Sequence, residues 1–144
     1  MAAATGPGTG TRLSEQEGRV LWTIAWQSAQ IVYSAEKDFG GSMQKVSGQI
    51  YSRGKPASYF VADSAEADRK TERLVLIGNV KVTALKNGAV LRCDRIEWLP
   101  SRKLIAARGN ITFDTGRFLA GTFNEILATP DLLEAGTPEQ FAGR

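Results

Sequence analysis

The chain has 144 residues, of which 42% are apolar and 23% charged, and eighteen Lys+Arg against fifteen Asp+Glu leave a net charge of +3. That is one globular domain's worth of sequence with enough apolar residues for a core of its own. With no His and a single cysteine, Cys93, imidazole acid–base chemistry, His-ligated metal sites, Cys-based zinc clusters and intrachain disulfides are excluded, and a thiol nucleophile would lack its usual base.

No apolar run approaches the ~20 residues that a membrane helix needs. The pattern points to a binding module and not to an enzyme, with no cofactor expected.

Residues 1–18 are small, polar and Gly-rich and read as a flexible leader outside the fold. From there apolar residues recur at every second position. Val20, Trp22, Ile24 and Trp26 alternate first, then Leu74, Leu76, Gly78, Val80, Val82 and Ala84, then Ile105, Ala107, Gly109, Ile111 and Phe113. A period of two over such lengths predicts strands, and no segment of ten or more residues carries helical periodicity. Turn signals separate the runs at Gly40-Gly41, Arg53-Gly54-Lys55-Pro56, Lys86-Asn87-Gly88, Leu99-Pro100-Ser101 and Asp114-Thr115-Gly116. Asn87-Gly88 is the strongest hairpin signal among them. The expectation is an all-β domain over 19–128, followed by a tail over 129–144 with one helical turn around Asp131–Ala135.

The runs are also similar to one another. Val46-Ser47-Gly48, Leu76-Ile77-Gly78 and Ala107-Arg108-Gly109 place Gly at spacings of 30 and 31, each followed two residues later by Ile50, Val80 or Ile111. Phe60-Val61-Ala62-Asp63-Ser64-Ala65 aligns with Leu91-Arg92-Cys93-Asp94-Arg95-Ile96, again 31 apart, and more weakly with Phe118-Leu119-Ala120-Gly121-Thr122-Phe123. The unit is strand, turn, strand, turn, copied three to four times and stacked edge to edge. Gly inside a strand marks a bulge or a bend. Asp63 and Asp94, where apolar parity shifts, read as corners and not as an acid–base pair.

The run Leu74-Val75-Leu76-Ile77-Gly78-Asn79-Val80-Lys81-Val82, continued by Gly88 to Trp98 and by Lys103 to Ile111, resembles the OstA-like domains of the lipopolysaccharide-transport bridge. Trp22 to Trp26 through Met43, with Gly48-Gln49-Ile50-Tyr51, looks more like its LptC-related, inner-membrane-anchored type. The resemblance covers about residues 20–128. It implies an open, twisted β-jellyroll of two facing antiparallel sheets, with acyl chains of lipopolysaccharide or a similar lipid held between them. It also implies neighbouring jellyroll domains, or further copies of this chain, joined edge to edge. A periplasmic location follows from the same resemblance, with any inner-membrane anchor lying outside this chain.

On that reading the inward face supplies the groove: Phe60, Ala62, Leu76, Val80, Val82, Leu91, Cys93, Ile105, Ile111, Phe113 and Phe118. Small residues among them would leave room for a chain, although the same alternation also suits a closed core. Cys93 reads as a small buried hydrophobe. Residues 69–117 hold eleven Lys/Arg and four Asp/Glu, a local +7. Arg69, Lys70, Arg73, Lys86, Arg102 and Lys103 fall at turns, where they would meet lipid phosphates or simply guard sheet edges. The three Trp read as core. Two other functions fit less well: a dry, purely structural assembly protein joined by its edge strands, and a nucleic-acid binder, for which the basic stretch lacks an interleaved aromatic pattern.

Overall fold

The computed structural model describes residues 2–4, 8–13, 20–33, 39–68, 73–99, 101–114, 119–120 and 124–141. Twelve strands form among them: β1 (Ala2–Ala4), β2 (Gly8–Leu13), β3 (Val20–Tyr33), β4 (Phe39–Ser52), β5 (Lys55–Asp68), β6 (Arg73–Ala84), β7 (Val90–Leu99), β8 (Leu104–Arg108), β9 (Thr112–Asp114), β10 (Leu119–Ala120), β11 (Glu125–Ala128) and β12 (Ala135–Gly136), with one 3-10 turn at Pro138–Phe141. The chain is all-β, as the alternation predicts. All strands belong to one antiparallel sheet ordered β1-β3-β4-β5-β6-β7-β8-β11-β12, with β2 beside β3, β9 beside β7 and β10 beside β9.

Strands β3, β4 and β5 run for 14 residues each, well beyond the usual ~5–6. The strands bend along a line across β5 to β8. Register shifts between Val61 and Ser64 on β5 and between Ile77 and Val80 on β6. The buried positions change parity there, from Phe60 and Ala62 to Ala65 and Ala67 on β5, and from Leu91 and Cys93 to Ile96 and Trp98 on β7. β8 and β9 continue the line as one bent strand. Both pair with β7, β8 along Arg95–Leu99 and β9 along Val90–Arg92, with Gly109 and Asn110 between them.

Side chains from both sides of this line share one core, which includes Trp22, Ile24, Met43, Phe60, Leu76, Val82, Leu91, Trp98, Ile105 and Ile126. A smaller apolar cluster of Leu104, Ala106 and Leu127, with Leu99 against it, lies apart from that core. The sheet also curls. Val20, Leu21, Tyr51 and Arg53, from β3, β4 and the turn after it, line one cavity together with Trp98, Lys103 and Pro130, although β5 and β6 lie between the two groups in strand order.

Several expectations need correction. The stretch 1–18 is not wholly outside the fold, because β1 and β2 pair with β3; edge pairing rests on main-chain groups and makes few demands on side chains. Around Asp131–Ala135 there is no helical turn. Thr129 N donates to Glu134 O (2.9 Å), and Asp131 Oδ1 accepts from Leu133 N (3.1 Å), closing a tight loop between β11 and β12. Asn87-Gly88 does lie in a hairpin, but in a four-residue loop over Leu85–Gly88 closed by Ala84 N to Ala89 O at 2.8 Å. The two-residue hairpin is instead Arg53-Gly54, with φ of 54° and 77°, the left-handed pair that matches strand twist.

Gly48 is not equivalent to Gly78 and Gly109. A side chain at Gly48 would meet the Thr23 carbonyl and the Phe60 ring, whereas at Gly78 and Gly109 it would meet the carboxylates of Asp63 and Asp94. Register places Lys45, itself at φ 51°, opposite Asp63.

Candidate functional site

Each corner is built from three residues. Gly78 and Asn79 both take left-handed φ (84° and 46°), as do Gly109 and Asn110 (80° and 47°), a conformation that Gly and Asn adopt at least cost. The turned Asn then reaches its neighbour strand. Asn79 Nδ2 donates to Asp63 Oδ2, and Asn110 Nδ2 donates to Asp94 Oδ2, each at 2.8 Å. Asp94 N donates to Gly109 O at 2.8 Å, fixing the second corner from the backbone. Asp63 and Asp94 therefore serve the bend, each with an amide as its partner. The two corners stand 31 residues apart at every member: Asp63 and Asp94, Gly78 and Gly109, Asn79 and Asn110.

The proposed groove residues do come together. Phe60, Ala62, Leu76, Val80, Val82, Leu91, Cys93, Ile105, Ile111 and Phe113 all lie in the single core cluster, at 0–8% exposure. Phe118 lies outside the described residues. Burial pushes the Cys93 thiol up to about 12, against the lowering effect of backbone hydrogen bonds with Arg95 and Arg108, so the thiol is protonated and inert at neutral pH. Its Sγ donates to Arg95 O at 3.4 Å.

The basic residues do not gather at one rim. Arg73 begins β6 and Arg102 and Lys103 sit in the β7–β8 turn, at one end of the strands; Lys86 sits in the β6–β7 loop at the opposite end. Arg73 pairs with Glu66 at 3.8 Å. Arg69 and Lys70 lie outside the described residues. Other cations share the outward face in register, Lys81 opposite Arg92 and Arg95 opposite Arg108. Of these, Arg108 is engaged by Glu125, Nε to Oε2 at 2.6 Å.

What the sequence did not indicate is the cavity at the curl. It has about 280 Å³ of free space and is lined by Val20, Leu21, Tyr51, Ser52, Arg53, Gly54, Trp98, Lys103 and Pro130. Lys103 was expected at a lipid-facing rim, but Arg53, Tyr51 and Trp98 were not assigned to any site. No local signal could have joined them, because they meet only through the curl of the sheet. Two buried indole nitrogens, Trp22 Nε1 and Trp98 Nε1, and the buried Ser58 hydroxyl have no hydrogen-bond partner.

Among the described residues no group of three or more His, Cys, Asp or Glu is placed to hold a metal ion, and no helix is long and apolar enough to cross a membrane. No protein-family model matches the chain, and no curated protein matches it in sequence.

Proposed function

We propose that this chain is a non-catalytic module of a lipid-transport bridge, which takes acyl chains of a lipopolysaccharide-type lipid against its inner face and joins neighbouring sheets through its outer strands. On this reading the corner line folds the sheet into two facing halves, a jellyroll assembled from units of about 31 residues. The observation that carries it is the corner itself, Asp63 with Gly78-Asn79 and Asp94 with Gly109-Asn110. It turns successive strands at one level, so that a single apolar face continues across the sheet. Small side chains are frequent on that face, including Ala62, Ala65, Ala84, Ala89, Cys93 and Ala107. An acyl chain entering it gains ~0.8 kcal/mol for each CH₂ removed from water. The sheet path ends at β12 on one side and at β1 and β2 on the other, where main-chain pairing with another strand is possible.

A second reading has an observation of its own. The ten candidate groove residues are sealed at 0–8% exposure, which favours a dry assembly module joined only through its edges. Photocrosslinking separates the two. With a crosslinker at Val82 or Phe113, the carrier reading expects adducts with an acylated lipid, and the same group at outward-facing Lys81 gives none. Adducts confined to Lys81, or none at Val82 and Phe113, leave the assembly reading standing.

A further inference from the structure

From the cavity at the curl we infer a binding site for the anionic headgroup of an amphiphile, an oxyanion such as a phosphate or carboxylate borne on an alkyl chain; the inference deepens the carrier reading and rests on it. Val20, Leu21, Trp98 and Pro130 give the cavity an apolar wall, and Arg53 and Lys103 contribute two cations to the same space. Both cations sit on tight turns. Arg53 is the first central residue of the two-residue β4–β5 hairpin, and Lys103 closes the β7–β8 turn in which Arg102 N donates to Leu99 O at 3.2 Å. Each holds a left-handed φ of 54°, a conformation uncommon for residues of this kind. The two turns come from separate hairpins and meet only because the sheet curls.

An apolar wall with two cations suits a ligand that is greasy on one side and anionic on the other. Trp98 is 3% exposed, it lines the cavity, and its indole N–H has no acceptor. The indole nitrogen itself is shut off from the cavity's free space, so Trp98 contributes apolar wall there, and the oxyanion contacts fall to Arg53 and Lys103. Size sets the limit. At about 280 Å³ the cavity lies at the lower bound of ~300–1,000 Å³ for small-molecule sites. It holds a headgroup and its first methylenes, and the rest of the chain must continue elsewhere.

The test is calorimetric titration of the whole chain with decyl phosphate below its micelle concentration, beside decyl maltoside and inorganic phosphate. Binding of decyl phosphate is expected to be at least about tenfold tighter than that of either comparator, as expected for a charge-assisted contact combined with apolar burial. The double variant Arg53→Asn, Lys103→Asn is expected to lose about tenfold or more of it, Asn being chosen because it tolerates left-handed φ. If that variant does not fold, raising the salt on the unaltered protein from about 50 to 500 mM should weaken decyl phosphate and spare decyl maltoside. Equal binding of decyl maltoside, inorganic phosphate binding as tightly as decyl phosphate, or a folded double variant with unchanged affinity overturns the proposal. Lipid adducts at Val82 together with charge-independent titrations would remove the headgroup site and leave the carrier. Charge-dependent titrations without adducts at Val82 would do the reverse.

Discussion

Gly109→Ala tests the corner most directly. Gly109 has a φ of 80°, and a methyl group there would lie 2.7 Å from Asp94 Oδ2 and 2.9 Å from Asp94 Cβ. Two effects add. Holding Ala in the left-handed region costs ~1–2 kcal/mol, offset by ~0.4–1 kcal/mol from the less flexible unfolded chain. Displacing the Asp94 side chain breaks the 2.8 Å hydrogen bond from Asn110, which at an exposed charged site is worth about 1.5 kcal/mol. The total is a loss of about 1.5–3 kcal/mol. Gly88→Ala separates the two effects, because Gly88 shares the left-handed φ (72°) but has nothing within 4 Å of the added methyl, so its loss should be about 1 kcal/mol or less. Gly78→Ala, where the nearest approach to Asp63 Oδ2 is 3.0 Å, should fall between them. Urea denaturation of the three variants gives the ranking. If Gly109→Ala is no more damaging than Gly88→Ala, the carboxylate does not brace the bend and the corner is only a backbone feature.

Four further outcomes follow from single contacts. Ser58→Ala should leave stability unchanged or raise it by up to about 1–2 kcal/mol in urea denaturation, because the Ser58 hydroxyl is buried without a partner and removing it removes a desolvation cost. Cys93 should resist a soluble disulfide reagent at pH 8 until the protein is unfolded; rapid native labelling would contradict its burial. Its raised pKa also makes stability fall with rising pH between the unfolded value, near 9, and about 12, because there the unfolded chain releases the proton that the folded chain keeps. The slope reaches about 1.4 kcal/mol per pH unit, is fully relieved below pH 9, and should be absent from Cys93→Ala in paired denaturation curves. Arg108→Ala should cost no more than about 1 kcal/mol, since its pair with Glu125 is largely exposed; a larger loss by thermal melting would point to a second role for that side chain.

Local pattern carried the strands and their corners. Alternation placed β6 and the bent β8–β9 strand, and the parity change at Asp63 and Asp94 marked both bends, because side-chain direction in a strand is fixed by a period of two. The partners of those Asp residues were missed: the Gly-Asn dipeptides at 78–79 and 109–110, each fifteen residues after an Asp, are the signal that would have found the amide–carboxylate contacts. Gly48 misled because a triplet matched by composition does not carry strand register. Register is set by the hairpin loop, and the β4–β5 turn has two residues where the β6–β7 loop has four. Lys45 therefore took the corner opposite Asp63, and Gly48 was left beneath Phe60. The cavity was not legible at all. It joins Tyr51 and Arg53 to Trp98 and Lys103 across two intervening strands, a contact that depends on how far the whole sheet curls.

The sealed core and the carrier reading constrain each other through the places where the sheet can part. From β3 to β8 each strand is tied to the next by a ladder, and parting one pair forfeits several main-chain hydrogen bonds at ~0.5–1.5 kcal/mol net each. The curl is different. There Val20, Leu21 and Tyr51 approach Trp98 and Pro130 as side chains lining a cavity, not as paired strands. Separating them exposes apolar surface at ~25 cal/mol per Å², and an incoming acyl chain would cover that same surface again. On the carrier reading, the route into the core that costs least would begin at the curl, beside Arg53 and Lys103. On the same reading the tail would pass inward and the headgroup would seat last, so loss of the two cations should shorten retention of a bound amphiphile, read as faster release of decyl phosphate from the Arg53→Asn, Lys103→Asn variant in a competition experiment; unchanged release would refute that order.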